Sequence, residues 1–410
     1  MLLELNPPLR TLMTPGPVEA EPRVLRAMTI PIIGQFDPEF LGIMDETMEL
    51  LRKLFQTTNH WAYTIDGTAR SGIEAVLCSI IEPGDKVLVP IFGRFGNLLT
   101  EIAERSGAEV FTMDCEWGTA FDEEEIIAEI KKVNPKILAL VHGETSTGIM
   151  QPLENIGKFC QEQDVLFIVD AVATIGGTDF RTDAWNIDAV ITGTQKCLSV
   201  PTGMAPITYN KKIENILVER RKIERGLDMS SHNPRRIQSN YLDLSQIQEY
   251  WSPKRLNHHT EATSMLYALR EGLRIIHEEG LQNRFERHKL HERALVKGLE
   301  AMGLSLFGDP RYKMPVVTCV NIPNEVNGDE VRYTMLKEFG VEIASTFGSL
   351  KGKIWRIGSM GFSCRKENIL KVLTALEASI YRHGGKVNAG EAVQAALDVY
   401  EEKTLSVNAN

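Results

Sequence analysis

Two charged residues follow two short apolar runs, and together they could hold an aldehyde cofactor. Asp170 follows the run 165–169, and Lys196 follows the run 189–191. Both runs are typical of buried strands, and in an open α/β sheet the carboxyl ends of the strands line the ligand crevice. A lysine amine can form a Schiff base with the aldehyde of pyridoxal phosphate, while a carboxylate beside the pyridine nitrogen keeps that nitrogen protonated. An ion pair between the two strands explains the same pattern equally well.

The elements that must position these residues alternate between strands and helices. Apolar runs at 86–90 and 135–142 predict buried strands, and amphipathic spacing predicts helices over 38–55 and 122–133. A charge-dense segment, 211–225, predicts an exposed helix, because glutamates lie between its basic residues. This order is typical of a mostly parallel sheet wrapped by helices.

A second, smaller α/β unit is predicted beyond a long helix over 263–302. Its strands and helices are expected at 316–320, 328–339, 341–344, 353–357 and 365–381. We therefore predict an α/β protein with an extended N-terminal arm (1–20), a large domain (21–275), a small C-terminal domain (276–385) and a C-terminal extension (386–410). The extension contains an amphipathic piece, 389–400, and a polar end that we expect to be disordered. An irregular polar stretch between 225 and 255, which includes Ser-Ser-His-Asn-Pro at 230–234, could close over the cleft.

Composition and charge describe an ordinary enzyme. The chain has 410 residues, of which 43% are hydrophobic and 24% charged, enough for one large core and a smaller one. Its formal net charge of -10 argues against nucleic acid as a partner, because phosphate binding needs a basic face. Six scattered cysteines indicate neither a zinc knuckle nor a disulfide framework, so we expect a reduced, cytoplasmic setting. We find no export signal and no membrane-spanning run.

The stretch 64–75 is predicted to be a short strand that turns through small residues into a helix. Exposed backbone N–H groups and the helix dipole make such a turn a suitable place for a phosphate group. Turns of this kind are common in α/β proteins, and most of them are structural.

Six short stretches, taken in order, resemble class V, fold-type I aminotransferases, the alanine/serine–glyoxylate aminotransferase family. These stretches are 13–17 (Met-Thr-Pro-Gly-Pro), 142–148 (His-Gly-Glu-Thr-Ser-Thr-Gly), 170–173, 193–196 (Gly-Thr-Gln-Lys), 258–260 (His-His-Thr) and 355–358. No single stretch is very specific, but six in family order are. The resemblance implies fold type I, pyridoxal 5'-phosphate as cofactor, transamination between an amino donor and glyoxylate, and a homodimer with shared active sites.

The resemblance also implies a role for each matching residue. Lys196 would carry the cofactor and move protons, and Asp170 would contact the pyridine nitrogen. The other implied cofactor contacts are Thr68, Ala69 and Arg70 at the phosphate, Phe95 over the ring, Thr145 near the ring oxygen, Gln195 beside the lysine, and Thr260 from the partner subunit. The chain has Ala69-Arg70 where the family usually has Gly-His, a change that leaves the backbone contacts possible.

Three positions bear on the substrate. Arg356 interrupts an apolar strand, where its planar fork could bind a carboxylate or form an internal salt bridge; the resemblance favours a substrate α-carboxylate. The implied mouth loop carries Gly34 and Gln35, and Asn257 stands where relatives commonly have tyrosine. Two carboxamides complement a ureido group better than a methyl group.

The amide pattern resembles the branch of the family that transfers nitrogen from (S)-ureidoglycine to glyoxylate in purine catabolism, giving oxalurate and glycine. Alanine or serine as donor is the alternative. A simpler interpretation is that Gln35 caps a helix and Asn257 only contacts the phosphate of the partner's cofactor.

Other functions fit the sequence less well. A cysteine desulfurase needs a nucleophilic cysteine before the carboxylate-binding arginine, and 344–352 contains none. A nucleotide-binding protein or a non-catalytic ligand-binding scaffold would need no lysine at this place, and a G-x-G-x-x-G turn is absent after the first strand. We predict no metal site, because the adjacent His258 and His259 do not share one face and no carboxylate-rich motif is near in sequence.

Overall fold

A seven-stranded sheet forms the centre of the larger part of the molecule. The structure, a computed structural model, describes residues 4–221, 233 and 235–408. Its strands are β1 (Thr11–Leu12), β2 (Trp61–Asp66), β3 (Lys86–Ile91), β4 (Glu109–Asp114), β5 (Ile137–Val141), β6 (Gly143–Glu144), β7 (Ile149–Met150), β8 (Leu166–Asp170), β9 (Ala189–Ile191), β10 (Met204–Tyr209), β11 (Val317–Asn321), β12 (Val341–Glu342) and β13 (Ile354–Gly358). The sheet order is β2-β10-β9-β8-β5-β3-β4, and β10 runs antiparallel to both of its neighbours while the other pairs are parallel. The predicted mostly parallel α/β sheet is confirmed.

Helices cover this sheet and form much of the smaller part. They are α1 (Pro22–Ala27), α2 (Pro38–Phe55), α3 (Ala69–Ile80), α4 (Arg94–Arg105), α5 (Glu123–Val133), α6 (Glu154–Glu162), α7 (Lys211–Glu219), α8 (Leu244–Trp251), α9 (Thr263–Glu279), α10 (Leu281–Ala301), α11 (Gly328–Thr334), α12 (Lys366–Arg382) and α13 (Glu391–Asn408). In the part of the chain that the structure covers, no helix is both long and apolar enough to cross a bilayer.

The strand register brings the sequence motifs to one edge of the sheet. Val141, Asp170 and Ile191 are side by side at the ends of β5, β8 and β9. Because these strands are parallel, the loops that follow them leave the sheet at the same level. The segment with Thr145, the Asp170 carboxylate and the loop with Lys196 therefore meet at the carboxyl edge.

Local sequence signals explain the bounds of α2. The Asp37 side chain accepts a hydrogen bond from the Glu39 backbone N–H at 2.9 Å, and Pro38 occupies the first turn, where a missing N–H is harmless. The helix ends at Gln56, which has a left-handed backbone. The predicted helix 38–55 is confirmed, and α5 begins within one residue of its predicted start.

The predicted continuous helix 263–302 is wrong, because it is broken at Gly280. This glycine has a φ of 81° and ends α9 while it begins α10. Such a backbone angle lies in the left-handed region, which glycine adopts without strain. Hydrophobic spacing continues across the break, so periodicity alone did not reveal it. The predicted helix 211–225 ends at Glu219, and 222–225 lie outside the described residues.

The smaller part has its own core, to which the N-terminal arm is joined. Strands β11 and β13 pair antiparallel, and apolar side chains of α10, α12 and α13 pack against them. The arm enters this part through β1, which pairs parallel with β12: Thr11 lies opposite Val341. The chain passes from the large core to the small one between α9 and α10, whose buried residues belong to different cores. The predicted domain limits stay a prediction.

The C-terminal extension forms α13, which continues to Asn408, beyond the predicted end of the amphipathic piece at residue 400. Its Ala392 and Ala396 are buried in the small core. The helix thus includes 401–408, and the expected disorder of the polar end stays a prediction. The stretch 230–234, expected to close over the cleft, lies outside the described residues except for Asn233.

Candidate active site

A cavity of about 330 Å³ opens at the carboxyl edge of the sheet. The predicted site residues that line it are Thr68, Ala69, Arg70, Phe95, Thr145, Asp170, Gln195 and Lys196. They come from five separate stretches of sequence, so the fold brings together what the motifs only suggested. The remaining predicted residues, Arg356, Gly34, Gln35, Asn257 and Thr260, lie outside the lining.

Lys196 is a buried amine at the bottom of this cavity. It lies in the loop between β9 and β10 and donates a hydrogen bond to the Pro15 carbonyl of the N-terminal arm. Burial, and then the positive charge of Arg356, lower the pKa of Lys196 to about 8. About a tenth of the amine is therefore unprotonated at pH 7, and this neutral form is the one that a nucleophile or a general base requires.

Asp170 provides a buried carboxylate nearby. Its Oδ1 accepts a hydrogen bond from the Val172 N–H at 3.0 Å. Burial, together with the negative charge of Glu144, raises the pKa of Asp170 to about 6. A cationic partner would reverse this effect, because an opposite charge favours the carboxylate. Asp170 and Lys196 have these separate partners and make no ion pair with each other, so the alternative of an inter-strand ion pair is wrong.

His142, the conspicuous histidine of the motif 142–148, is structural. Its Nδ1 is 2.8 Å from the Thr174 hydroxyl, and its ring packs edge-on against Phe180 and Trp185. Burial lowers the pKa of His142 to about 3. It is therefore neutral at physiological pH and is held by packing rather than placed for proton transfer.

The start of α3 forms a cradle for an anion. Thr68 is the N-cap residue, and its side chain makes no capping hydrogen bond, so the first N–H groups of this twelve-residue helix are open to a ligand. Gly67, at a φ of 126°, permits the tight turn, because a Cβ there would lie 2.7 Å from the Ser71 hydroxyl oxygen. Arg70 is exposed, and its guanidinium makes no ion pair with any described residue.

Gln195 adds a polar group that lacks a protein partner. Its Oε1 is buried and makes no hydrogen bond with the described residues. Gly193 allows its loop to pack closely against the Gln195 side chain and the start of α3. A Cβ at this position would be 2.7 Å from Gln195 Oε1 and 2.8 Å from the Ala69 Cβ. A rotated amide presents its N–H₂ group instead, so Gln195 can donate to an anion at the cradle.

Glu144 holds the turn that carries Phe95, a role that sequence reasoning missed. Its Oε2 accepts from the Phe95 N–H at 2.7 Å, and its Oε1 accepts from the Ser146 N–H at 2.9 Å and the Ser146 hydroxyl at 2.6 Å. Glu144 is fully buried, and burial raises its pKa. A Cβ at Gly93 would lie 2.2 Å from the Glu144 Cγ, so only glycine fits beside this carboxylate.

Arg356 is held by carbonyl groups, and the structure gives it no acidic partner. Its Nε donates to the Ser345 carbonyl at 2.7 Å and its Nη1 to the Thr145 carbonyl at 2.8 Å. The guanidinium carbon is 5.0 Å from the centre of the Phe347 ring. Among the described residues Arg356 forms no ion pair, so the predicted alternative of an internal salt bridge is wrong. The remaining nitrogen, Nη2, is available to a carboxylate from outside the protein.

Gln35 of the expected mouth loop and Asn257 lie together but away from the cavity of their own chain. Gln35 Nε2 donates to Asn257 Oδ1 at 2.8 Å, and Gln35 Oε1 accepts from the Glu261 N–H at 3.1 Å. Gly34, Asn257 and Thr260 are exposed. The interpretation of Gln35 as a helix cap is wrong, because Asp37 caps α2.

A larger cavity, about 600 Å³, lies outside the carboxyl edge. Its arginines are largely engaged: Arg235 pairs with Glu82 at 2.6 Å, and Arg220 donates to backbone carbonyls such as that of Ile81 at 2.7 Å. It contains neither a buried amine nor a strand-end carboxylate. The chemistry therefore belongs to the smaller cavity, and Arg70 and Leu98 line both cavities.

The fold and the lysine site together define a known class of enzyme. The profile of the aminotransferase class-V family matches residues 30–356, so the chain belongs to this family of PLP-dependent transaminases. It is 64% identical over 405 residues to the (S)-ureidoglycine–glyoxylate transaminase of Bacillus subtilis, covering 97% of each chain. It is also 35% identical over 378 residues to the alanine–glyoxylate aminotransferase of Drosophila melanogaster, covering 91% of this chain and 93% of the relative.

Solved structures show the same pattern of similarity. The crystal structure of ureidoglycine–glyoxylate aminotransferase from Bacillus subtilis has a TM-score of 0.93 at 64% identity and covers 97% of this chain and 100% of its own. The structure of alanine–glyoxylate aminotransferase from Nostoc sp. has a TM-score of 0.88 at 39% identity and covers 93% of this chain and 97% of its own.

The residues that surround the cavity fit pyridoxal phosphate. Open N–H groups at the start of α3 and the unpartnered Gln195 amide suit the phosphate. The buried Lys196 amine suits the aldehyde, and Asp170 suits a protonated pyridine nitrogen. Phe95, in the first turn of α4, offers an aromatic face to the same cavity.

Proposed function

We propose that this chain transfers the amino group of (S)-ureidoglycine to glyoxylate, producing oxalurate and glycine, in purine catabolism. The observation that carries the transamination is the buried, partly neutral Lys196 beside the buried Asp170. The 64% identity with the Bacillus subtilis transaminase supports the choice of donor. Alanine as donor is the second candidate, supported by the alanine–glyoxylate relatives at 35% identity.

We assign the cofactor contacts as follows. When bound, pyridoxal phosphate supplies an aldehyde for the donor's amine and a ring that accepts electrons from the Cα–H bond. The N–H groups of Ala69 and Arg70 and the Gln195 amide hold the phosphate end. Phe95 covers one face of the ring and excludes water. Thr145 contacts the ring oxygen. Asp170 holds a proton on the pyridine nitrogen.

Lys196 moves the proton in this scheme. Its amine is buried and has a pKa of about 8, so at neutral pH it can both accept a proton from the donor's Cα and release it again. The Pro15 carbonyl, which accepts its hydrogen bond, holds the amine in place when it is free. The same base serves both half-reactions, because the second reverses the first with glyoxylate as acceptor.

Arg356 binds the α-carboxylate that both substrates carry. The Ser345 and Thr145 carbonyls hold Nε and Nη1 of its guanidinium, which leaves Nη2 without a hydrogen bond to the described residues and available to a ligand. Fixed donors lose little freedom when they bind, so the carboxylate is oriented at a small entropic cost.

We assign donor selection to the Gln35–Asn257 amide pair. Asn257 uses its oxygen to bind Gln35, so its N–H₂ group points to no protein acceptor among the described residues. A ureido carbonyl can accept from this group, and the ureido N–H groups can donate to the second lone pair of Gln35 Oε1. Alanine offers only a methyl group to these atoms.

The active unit in this proposal is a homodimer with shared sites. Gln35, Asn257 and Thr260 do not line the cavity of their own chain, and large apolar side chains around them are exposed: Ile32 by 71%, Phe36 by 60% and Leu256 by 51%. Clustered apolar side chains at a surface mark an interface. A second copy that covers this surface would bring the amide pair and Thr260 to the partner's cavity.

A cytoplasmic setting completes the proposal. All six cysteines are free thiols, and four of them are buried. Free cysteines persist in a reducing compartment, whereas an oxidising one favours disulfides.

Steady-state kinetics with glyoxylate and three donors test the proposal. We expect kcat/KM for (S)-ureidoglycine to exceed that for alanine and serine, with glycine and oxalurate formed in equal amounts. Lys196→Ala should abolish turnover with every donor, which ties the activity to the site. A wild type that prefers alanine or serine would overturn the donor and leave the transamination in place. Activity that survives in the Lys196→Ala variant would overturn both.

A further inference from the structure

A second cluster of chemically capable side chains lies away from the lysine cavity. Asp66 ends β2, and His259 and Glu261 belong to the segment before α9; one ligand atom of each lies within 4.8 Å of the others. His259 Nε2 is 3.3 Å from Asp66 Oδ2 and 3.8 Å from Glu261 Oε2. The sequence predicted no metal site, because no carboxylate-rich motif lies near the two histidines. The fold brings the Asp66 carboxylate from the end of β2 to His259, and Glu261, two positions after His259, supplies the second carboxylate.

Glu261 is buried and has no partner. Its side chain is 1% exposed, and neither carboxylate oxygen makes a hydrogen bond with any described residue. The Tyr250 hydroxyl and the Asp66 carboxylate are near enough to influence its pKa, yet neither forms a hydrogen bond of normal geometry with it. Asp66 Oδ1 and His259 Nε2 are likewise buried and unpartnered. Four unsatisfied polar atoms therefore face one small volume.

The charges of the cluster favour a cation. The buried carboxylate of Glu261 lies close to the half-buried carboxylate of Asp66, and no lysine or arginine forms an ion pair with either of them in the described chain. A buried carboxylate without a counter-charge is strongly disfavoured. The compensating charge is a proton or a metal ion.

One hydrogen bond couples the tautomers of the two histidines. His258 Nδ1 and His259 Nδ1 are 2.8 Å apart, so one donates and the other accepts. When His259 Nδ1 is the donor, its Nε2 carries a lone pair, and this nitrogen lies 3.3 Å from Asp66 Oδ2. Metal-binding histidines characteristically donate the other ring N–H in this way.

We propose that Asp66, His259 and Glu261 bind a divalent transition-metal ion such as Zn²⁺ or Mn²⁺. Bonds of about 2.1 Å place neighbouring ligand atoms roughly 3.0–3.4 Å apart in tetrahedral or octahedral geometry, close to the spacing found here. One imidazole nitrogen with two carboxylates suits these ions, whereas Mg²⁺ and Ca²⁺ prefer oxygen ligands alone. A remaining coordination position is left for water.

The ion would fix the segment that carries the donor-selecting residues. His259 and Glu261 flank Thr260, and the Glu261 N–H binds Gln35, which binds Asn257. Asp66 directly precedes Gly67 and Thr68 of the anion cradle. This structural role rests on the proposed function, but the metal binding itself does not.

Metal analysis of the full-length, cofactor-loaded protein tests the site. The protein is expressed with added zinc and manganese, desalted and measured by inductively coupled plasma mass spectrometry. Chelator-treated protein is then titrated with ZnCl₂ and with MnCl₂ by isothermal calorimetry. We expect one ion per chain, its loss in His259→Gln and Glu261→Gln, and its retention in the exposed controls His60→Gln and Glu49→Gln. Cofactor absorbance in each variant shows that the fold is intact.

Two results would overturn the proposal. One is a wild type that carries no metal and takes up neither ion after chelation, which would assign the compensating charge to a proton. This measurement does not depend on any variant folding. The other is equal metal binding by the wild type, His259→Gln and Glu261→Gln, which would place the ion elsewhere on the surface. Neither result would affect the transamination, because Lys196 and its cavity are untouched.

Discussion

Asn257→Tyr should lower activity towards ureidoglycine far more than towards alanine. In the structure Gln35 occupies the Asn257 oxygen at 2.8 Å, so the Asn257 N–H₂ group is the free donor for a ureido carbonyl. Tyrosine removes this group and breaks the bond to Gln35. Asn257 is exposed in the single chain, but in the proposed shared site the bound ureido carbonyl would be buried without a donor. Such an unpaired group costs roughly 1–3 kcal/mol, which corresponds to about tenfold to a hundredfold in kcat/KM. Alanine has no polar atom to leave unpaired, so its kcat/KM should change less than about threefold.

The assay measures kcat/KM for both donors at saturating glyoxylate in wild type, Asn257→Tyr, Gln35→His and the double variant. Because the two amides share a hydrogen bond, the losses should not add, and the double variant should lose less than the sum of the single losses in free energy. Asn283→Tyr, an exposed amide on α10, serves as the control and should behave as wild type. Equal losses for the two donors in Asn257→Tyr would refute the assignment of donor selection to the pair.

Further predictions concern the site and the assembly. Lys196→Ala should bind pyridoxal phosphate without the borohydride-stable bond that the wild type forms, as shown by mass spectrometry; a stable adduct in the variant would contradict its role. Glu144→Gln should unfold at lower temperature, with a loss of about 1–3 kcal/mol because a buried N–H of Phe95 or Ser146 loses its acceptor, and Glu101→Gln should not. The rate at which the apoprotein captures pyridoxal phosphate should rise with pH and reach half of its maximum near pH 8, because burial lowers the pKa of Lys196. A midpoint near the ordinary lysine pKa would contradict this prediction. The apoprotein should also gain stability from pH 8 to the ordinary lysine pKa, since over that interval only the unfolded chain keeps the proton. Sedimentation at assay concentration should show a dimer, and a fully active monomer would exclude shared sites.

Local signals were sufficient for the elements and for the residues at strand ends. Asp37, Pro38 and the apolar spacing define α2 without any tertiary contact, and Asp170 follows an apolar run that could only be a buried strand. The resemblance supplied the roles of Phe95 and Arg356. The helical spacing of apolar residues continues through Gly280, so the sequence did not indicate that one helix ends there and another begins.

Contacts between distant segments could not be predicted. Glu144 is important because it receives the N–H of Phe95, and no spacing rule connects those positions. His259 meets Asp66 only because β2 ends beside the segment before α9. The Gln35–Asn257 bond was also invisible, although both residues were identified for their chemistry. Sequence patterns name the groups, and tertiary packing decides which of them meet.

The N-terminal arm sets the order in which a newly made chain can complete its active site. Thr11 pairs with Val341, the Met13 carbonyl accepts from the Gly358 N–H at 2.8 Å, and Pro15 binds the Lys196 amine. The arm leaves the ribosome long before the strands that hold it. At about 5–20 residues per second, the arm waits roughly 20–70 s for Gly358. A nascent chain that stalls before β13 is made can form the sheet around Lys196, but it has no edge on which to fix the arm, so the cofactor pocket is finished only after β13 has been made.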